Sequence, residues 1–384
     1  MKALIAVLLA CTLAACATAP QPVVATATLL RDAAFAPSTE AIDAGQVMAL
    51  SDEMRSYLRR ELGAQLRSNG TRQGLLDALY TKSQLKLEYD TAMTRTAAQA
   101  FEARAGNCLS LTLMTAAFAK ELGLPVHYQN VLVDELWSRV GNLQFVAGHV
   151  NLRLGRRHTE FKVYGDEAEN LVVDFMPGAQ IRSQRSLDID ESVIVAMYMN
   201  NRAAESLSEG KVDQAYWWAR AAVLHEPRYL GGINTLGVIY RRHGELDAAA
   251  RAFREVLQRE PANTPALANL VVVLRETGQT EEADRLNLRL AEIQPYPPFV
   301  FYDQGRDAMG AGDFKRARDL FNREISRNAY FHELHFWLAL ANYALGDMVE
   351  VRRELTLAKD NSTTLRDREL YSAKLDSLRV KRSY

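Results

Sequence analysis

A helical period of about 34 residues in the second half of the sequence constrains the fold more than any other feature. Pro227, Pro261 and Pro295 recur at this interval. In the same register, alanine and phenylalanine return at fixed columns: Ala215, Ala249, Ala283 and Ala317, and Phe253 and Phe321. Small residues at such a period fit where paired helices approach closely, large residues fit where they interlock, and proline marks the turn into the next unit. The second half is therefore predicted to be a stack of helical hairpins.

This pattern resembles the tetratricopeptide repeat (TPR), most clearly where Leu236 and Gly237 are followed by Tyr240. We predict an all-α tetratricopeptide solenoid of about five repeats, the last two degenerate, with a capping helix: 196–229, 230–263, 264–297, 298–331, 332–365 and 366–384. An open-ended stack needs such a cap. The alternative is a generic helical bundle, which the regular register disfavours. The resemblance implies a concave groove that binds a protein or peptide ligand.

Aromatic residues of the repeats are candidates for this groove or for packing between helices: Tyr216, Trp217, Trp218, Tyr296, Phe299, Phe301, Tyr302, Trp337 and Tyr343. Because aromatic residues at helical spacing usually pack in a core, we expect most of them to be buried. His332 and His335 lie one residue closer together than the histidines of a zinc-binding His-Glu-x-x-His helix. We therefore predict neither a metal nor a cofactor.

The first half contains a cysteine, a histidine and an aspartate at spacings typical of a catalytic triad. Cys108 follows a Gly-Asn pair and begins an apolar helical pattern that ends at Gly123. At a helix N-terminus, free backbone N–H groups and the helix dipole favour the thiolate and can stabilise an oxyanion. His149 and Asp174 lie in short β-rich runs. A nucleophile, a base and an orienting carboxylate together predict acyl chemistry.

Residues 94–112, with the Gly-Leu-Pro of 123–125 and the histidine and aspartate segments, resemble the bacterial transglutaminase-like superfamily. The resemblance covers roughly residues 85–180. It implies an α+β papain-like/transglutaminase-like domain, which we place at residues 51–190. In this fold a helix bearing the cysteine packs on an antiparallel sheet that carries the other two residues.

The same resemblance implies a role for each member of the triad. Cys108 is implied as the nucleophile, His149 as the base and Asp174 as the residue that orients the base. Gln99 is the candidate for an upstream oxyanion donor, with a solvated helix residue as the alternative. The alternative for the triad is a buried structural thiol, a core histidine and a turn-forming aspartate.

The N-terminus has the pattern of a bacterial lipoprotein. Residues 1–15 are predicted to be a lipoprotein signal peptide, because a positive start and an apolar stretch precede Leu-Ala-Ala-Cys. Cys16 is predicted to carry lipid, and Ala17 resembles the sorting pattern for the outer membrane of Gram-negative bacteria, facing the periplasm. A plain secretory signal is the alternative. Residues 16–50, rich in Ala, Thr and Pro, are predicted to be the lipidated cysteine and a flexible tether.

Charge and cysteine content narrow the classes of function. The chain has 46 basic and 47 acidic residues, which leaves no basic footprint for nucleic acid. It has three cysteines, and with Cys11 removed and Cys16 lipidated, Cys108 is the only free thiol. A lone thiol in an oxidising compartment indicates a reactive residue.

We therefore predict a membrane-anchored cysteine amidase or peptidase, or a transglutaminase-like acyl-transfer enzyme of the bacterial envelope, whose TPR repeats recruit a protein or peptide partner. The alternative is a non-catalytic TPR scaffold lipoprotein with a degenerate papain-like domain. The intact triad favours the enzyme, and the lack of a well-spaced oxyanion glutamine favours the scaffold.

Overall fold

The structure is a computed structural model. It describes residues 26–80, 85, 87–91, 93–131, 137–140, 143–146, 148–156, 171–175, 185–362 and 364–380. The predicted signal peptide, residues 1–15, and the predicted lipidation site, Cys16, lie outside these residues. The described chain forms an α+β region followed by a solenoid of paired helices. Among these residues, no helix combines the length and the apolar character that crossing a membrane requires.

Residues 26–50 form an ordered segment, here called the strap, that lies against the first helices of the solenoid. It contains three short 3₁₀ helices: Thr26–Leu29, Asp32–Ala34 and Ala44–Gln46. Phe35 is 6% exposed and stacks on Tyr216, with ring centroids 3.9 Å apart. Leu29 is buried, and its carbonyl accepts a hydrogen bond of 2.6 Å from the Tyr240 hydroxyl. In this segment, which is predicted to be part of a flexible tether, two apolar residues hold the chain against aromatic partners in the repeats.

The described part of the α+β region contains five helices, of which the fifth is almost entirely buried. They are α1 (Asp52–Arg60), α2 (Gly63–Ser68), α3 (Thr71–Tyr80), α4 (Ala97–Ala103) and α5 (Cys108–Glu121). Every residue of α5 from Leu109 to Ala119 is buried, so polar side chains on it must find partners inside. Thr115 satisfies its hydroxyl by donating to the Leu111 carbonyl at 2.8 Å.

Short strands complete the α+β region. They are β1 (Glu88–Tyr89), β2 (Ala105–Gly106), β3 (Val126–Val131), β4 (Trp137–Val140), β5 (Leu143–Val146), β6 (His149–Leu154), β7 (Leu171–Val173) and β8 (Ser186–Ile189). One antiparallel sheet has the order β7-β6-β3-β8, β4 pairs with β5, and β1 pairs in parallel with β2. Helix α5 packs against β6, where Thr112 Oγ1 lies 3.5 Å from the Val150 carbonyl.

Residues 191–360 form five helical pairs, and one more helix follows them. The pairs are α6 (Glu191–Ser208) with α7 (Val212–His225), α8 (Leu230–His243) with α9 (Leu246–Arg259), α10 (Thr264–Glu276) with α11 (Thr280–Ile293), α12 (Val300–Gly310) with α13 (Phe314–Ile325), and α14 (His332–Ala344) with α15 (Met348–Asp360). The last helix is α16 (Leu365–Val380).

The small and large columns of the repeat meet inside these pairs. A Cβ placed on Gly237 of α8 would lie 2.6 Å from the Phe253 ring of α9. The same contact recurs two repeats later, where a Cβ on Gly305 would lie 2.5 Å from Phe321. Only glycine allows so close an approach, which explains the small-to-large pattern that the sequence repeats.

The solenoid core is divided between α11 and α12. One buried cluster extends from the strap to α11, and a second one lies within α12, α13 and α14. The buried Leu270 of α10 is replaced one repeat later by the exposed Gln304 of α12. The buried Val273 is likewise replaced by the exposed Asp307. Phe299, with φ of 63°, begins the second cluster after a proline-rich turn.

Candidate functional site

Cys108 is the first residue of α5 and is only half-buried, whereas the residues directly after it in the helix are buried. Asn107 is the N-cap of α5, and its Oδ1 accepts hydrogen bonds of 2.8 Å from both the backbone N–H and the hydroxyl of Ser110. Gly106 is required just before it, because a Cβ there would lie 2.7 Å from the Ser110 Cβ. The cap leaves Cys108, which is half-buried, next to the first free N–H groups of the helix.

His149 and Asp174 come from neighbouring strands of the sheet. His149 is the first residue of β6 and is 1% exposed, whereas Asp174 directly follows β7, which pairs with β6. The Nε2 atom of His149 lies 2.8 Å from Oδ1 and 2.9 Å from Oδ2 of Asp174. The Nδ1 atom of His149 is buried and makes no hydrogen bond among the described residues, and the Cys108 thiol is near enough to raise the pKa of the ring. The structure thus brings the three residues singled out in the sequence into one connected row.

The environment favours a charged pair in this row. Burial raises the pKa of the Cys108 thiol. The interaction with His149 and the backbone N–H groups of Val150 and Leu109 act in the opposite direction, and the resulting pKa lies below its ordinary value. Burial lowers the pKa of His149. The interactions with Asp174 and Cys108 together have the larger effect and raise this pKa to about 9. A thiolate beside an imidazolium is the form that attacks carbonyl carbon.

Two residues at this site were not identified from the sequence. Asn151 donates a hydrogen bond of 2.9 Å to Oδ2 of Asp174. Because it lies two residues after His149 on β6, the alternation of a strand places both on one face, and that alternation could have identified it. Tyr89 lies opposite Gly106 in the β1–β2 pair, close enough to Cys108 for the cysteine to influence the pKa of the tyrosine hydroxyl. Burial, followed by the charge of the cysteine, raises the pKa of Tyr89 well above its ordinary value, so the hydroxyl stays protonated.

Gln99 has a different role from the predicted oxyanion donor. Its Oε1 accepts from the backbone N–H of Thr96 at 3.0 Å, and its own N–H donates to the Thr96 hydroxyl at 3.3 Å. These reciprocal bonds form a capping box at the start of α4. The glutamine side chain is therefore used to cap a helix, and Tyr89 is a polar side chain that lies near Cys108.

Most aromatic candidates of the repeats are packing residues, as expected. The buried ones are Tyr216, Trp218, Phe299, Phe301 and Tyr302. Tyr296 and Tyr343 are 56% and 50% exposed and remain available at the surface. A surface depression of about 620 Å³ lies between α12 and α14, where the Arg306 guanidinium sits 5.0 Å from the Trp337 ring centroid.

The two histidines of α14 hold the last repeat to its surroundings. His332 Nδ1 lies 2.8 Å from the Tyr371 hydroxyl of α16. His335 lies between Glu354 Oε2 at 2.7 Å and the Ala329 carbonyl at 2.8 Å. Within the described parts of the chain, no group of three or more metal-binding side chains is assembled.

Comparison with known proteins finds tetratricopeptide repeats within the second half of the chain. Two family models for the tetratricopeptide repeat match it, over residues 240–297 and 302–355. No curated protein matches the chain. Similar solved structures include MamA, with 16% identity over 41% of this chain and 93% of that chain and a TM-score of 0.24. A thermophilic TPR protein from Thermus thermophilus has 16% identity over 47% of this chain and 98% of its own, with a TM-score of 0.29.

The C-terminal half is therefore a TPR-like all-α solenoid, as predicted, and the region before it is α+β. TPR arrays present extended surfaces to other proteins, so a protein-interaction role follows for this half. Neither family model extends into the α+β region. The transglutaminase-like resemblance of that region stays a prediction.

Proposed function

We propose that this chain is a TPR interaction protein whose α+β region carries a cysteine-dependent acyl-transfer site. The interaction role rests on the TPR matches. One observation carries the catalytic role: the ring of His149 is held at Nε2 by Asp174, which leaves the buried Nδ1 for the thiol of Cys108. A buried ring nitrogen without a hydrogen-bond partner costs free energy, and a packing role does not require that cost.

The reaction that this geometry supports is attack of the thiolate on an amide carbonyl. The Cys108 sulfur forms a bond to the carbonyl carbon, and the oxyanion is met by the N–H groups at the start of α5 and by the Tyr89 hydroxyl. His149 then gives its proton to the leaving amine as the C–N bond breaks, which leaves a thioester on the enzyme. Water or a second amine attacks the thioester, His149 takes the proton of that nucleophile, and the thiolate is regenerated.

The transglutaminase-like assignment of the α+β region belongs to this proposal. In its support, a helix that begins at the cysteine packs against the strand that carries the histidine, and the aspartate follows the neighbouring strand. Hydrolysis would make the protein an amidase or peptidase, and attack by an amine would make it a transglutaminase. Incorporation of a fluorescent primary amine into an added protein distinguishes the second outcome from the first.

The reactivity of the thiol tests the catalytic role without a known substrate. We expect iodoacetamide to alkylate Cys108 with a midpoint below about 8.5, the ordinary thiol pKa, and His149→Ala to move the midpoint back toward that value. Alkylation is followed at the Cys108 peptide by mass spectrometry. His127→Ala, an exposed histidine on β3, is the matched control and should leave the midpoint unchanged. An ordinary midpoint in the wild type would reject the site and favour a non-catalytic scaffold.

The interaction role is tested at an exposed aromatic residue of the repeats. Tyr343 is half exposed at the end of α14, so Tyr343→Ala should reduce co-purification of bound proteins and leave the melting temperature unchanged. Val349→Ala on the neighbouring α15 is the control, because Val349 is 73% exposed and belongs to the other helix of the pair. Equal recovery of partners with both variants argues against this surface.

Anchoring to the outer membrane through lipid on Cys16 is also part of the proposal, supported by the Leu-Ala-Ala-Cys sequence. Two or more acyl chains give stable attachment to a membrane. The Cys16→Ala variant should appear in the soluble periplasmic fraction. Recovery of this variant in the membrane fraction would show that another element or a partner provides the attachment.

A further inference from the structure

The first helix of the solenoid is bonded to the loop that holds the cap of the Cys108 helix. We propose that Glu205 on α6 is a positioning residue: it fixes Thr94, Thr94 fixes Asn107, and Asn107 keeps the tip of α5 in the form that sustains the thiolate. This inference rests on the proposed acyl-transfer site. It adds that the first repeat is a structural part of that site and not only a neighbouring module.

The contact begins with a carboxylate on a backbone N–H. Oε1 of Glu205 accepts a hydrogen bond of 2.7 Å from the Thr94 N–H, and Oε2 pairs with Arg202 at 2.7 Å. The Glu205 side chain is 24% exposed, so both bonds are largely shielded from water. A hydrogen bond to an ionised acceptor is shorter and stronger than one between neutral groups. Thr94 is thus held firmly against α6.

Thr94 passes this placement to the cap of α5. It is 1% exposed, and its hydroxyl oxygen accepts from Asn107 Nδ2 at 2.9 Å and from Asn201 Nδ2 of α6 at 3.3 Å. The other end of the Asn107 amide, Oδ1, receives the N–H and hydroxyl of Ser110. Because both ends of this amide are bonded, its orientation at the helix tip is fixed.

Loss of the Thr94 contact frees one end of the Asn107 amide. The amide then rotates between orientations, and the fraction of time in which it caps α5 falls. The N–H groups that face the Cys108 sulfur become less ordered, so the thiolate loses part of its stabilisation. Helix α6 also touches the other side of the site, since the Met197 methyl lies 3.5 Å from where a Cβ on Gly148 would sit.

The test measures alkylation of Cys108 against pH in the full-length chain. For Glu205→Ala we expect the midpoint to move toward that of free cysteine and the rate at pH 6 to fall about three- to tenfold, the range expected for a lost cap. Glu205→Gln should restore most of the rate, because its amide oxygen can still accept from Thr94. The control is Glu209→Ala, which removes an exposed partner of Lys211 further along the same segment.

A second pair of variants covers the case in which Glu205→Ala does not fold. Thr94→Val keeps the backbone N–H and the side-chain volume but removes the acceptor for Asn107, so it should reproduce the shift, and Thr94→Ser should restore it. A normal midpoint in the wild type would overturn the acyl-transfer site together with this proposal. A lowered midpoint in the wild type that neither Glu205→Ala nor Thr94→Val changes would overturn the positioning role alone. A shift of the midpoint at an unchanged melting temperature supports it.

Discussion

Replacing Phe35 by alanine should release the strap from the solenoid. The ring is 6% exposed and lies 3.9 Å from Tyr216 and 4.3 Å from the ring of His243, centroid to centroid. Removing a buried phenylalanine costs about 3–5 kcal/mol. Each hydrogen bond that holds the strap contributes only about 0.5–1.5 kcal/mol. We therefore expect the strap to detach locally before the whole protein unfolds, because a detached strap leaves no buried cavity in place of the Phe35 ring.

Hydrogen exchange measures this detachment directly. The N–H groups of Arg31 and Ala36 donate to Tyr216 at 2.9 Å and to Asp213 at 3.0 Å, so both report on attachment. A loss of about 3 kcal/mol should accelerate their exchange by at least about a hundredfold, since about 1.4 kcal/mol corresponds to a factor of ten. The melting temperature of the repeats should change little.

A matched aromatic control separates the strap effect from general destabilisation. Tyr343→Ala removes a ring that is half exposed, so it should leave exchange of the strap unaffected. Exchange rates at Arg31 and Ala36 that stay within twofold of the wild type in Phe35→Ala would refute the reasoning. The strap would then be held by its polar contacts, with the stacked ring contributing little.

Three further substitutions test other parts of the molecule. Asp174→Asn should lower the pKa of His149 and raise the alkylation midpoint of the thiol, followed by mass spectrometry. Gly237→Ala places a Cβ 2.6 Å from a ring and should cost about 1–3 kcal/mol in urea unfolding, whereas Gly310→Ala, with open space, should not destabilise. Hydrogen bonding to the arginine two residues on lowers the pKa of Glu226 from 4.5 to about 2. Its contribution is complete above pH 4.5 and is lost as the pH falls toward 2, so Glu226→Gln should flatten acid unfolding in that window.

The repeats were predictable because their information is local and periodic. The alanine and phenylalanine columns recur at the period of the repeat, and each pair of helices that shares them uses the same close contact. The division of the solenoid core between α11 and α12 is also indicated in the sequence. Gln304 and Asp307 occupy columns that are apolar in the two repeats directly before, and both residues are exposed. Comparing each column of the repeat with the same column in the two repeats before it would have located the division of the core between α11 and α12.

The parts that were missed depend on pairing between distant segments. Tyr89 reaches Cys108 because β1 lies beside β2, and no local pattern in so short a strand indicates that neighbour. The strap has the composition of a flexible linker, and its order comes from Phe35 and Leu29, which find aromatic partners far along the chain, in the repeats. Gln99, the weak candidate for an oxyanion donor, forms a capping box with Thr96 at the start of α4.

The strap also bears on the proposed lipid anchor. If Cys16 carries lipid as proposed, only a short segment separates the anchor from Thr26, where the attached part of the chain begins. A segment of about ten residues spans at most about 36 Å when fully extended. The solenoid would then work in a thin layer at the bilayer surface, at restricted height and tilt. Partners embedded in that membrane would meet the repeats far more often than proteins free in the surrounding compartment.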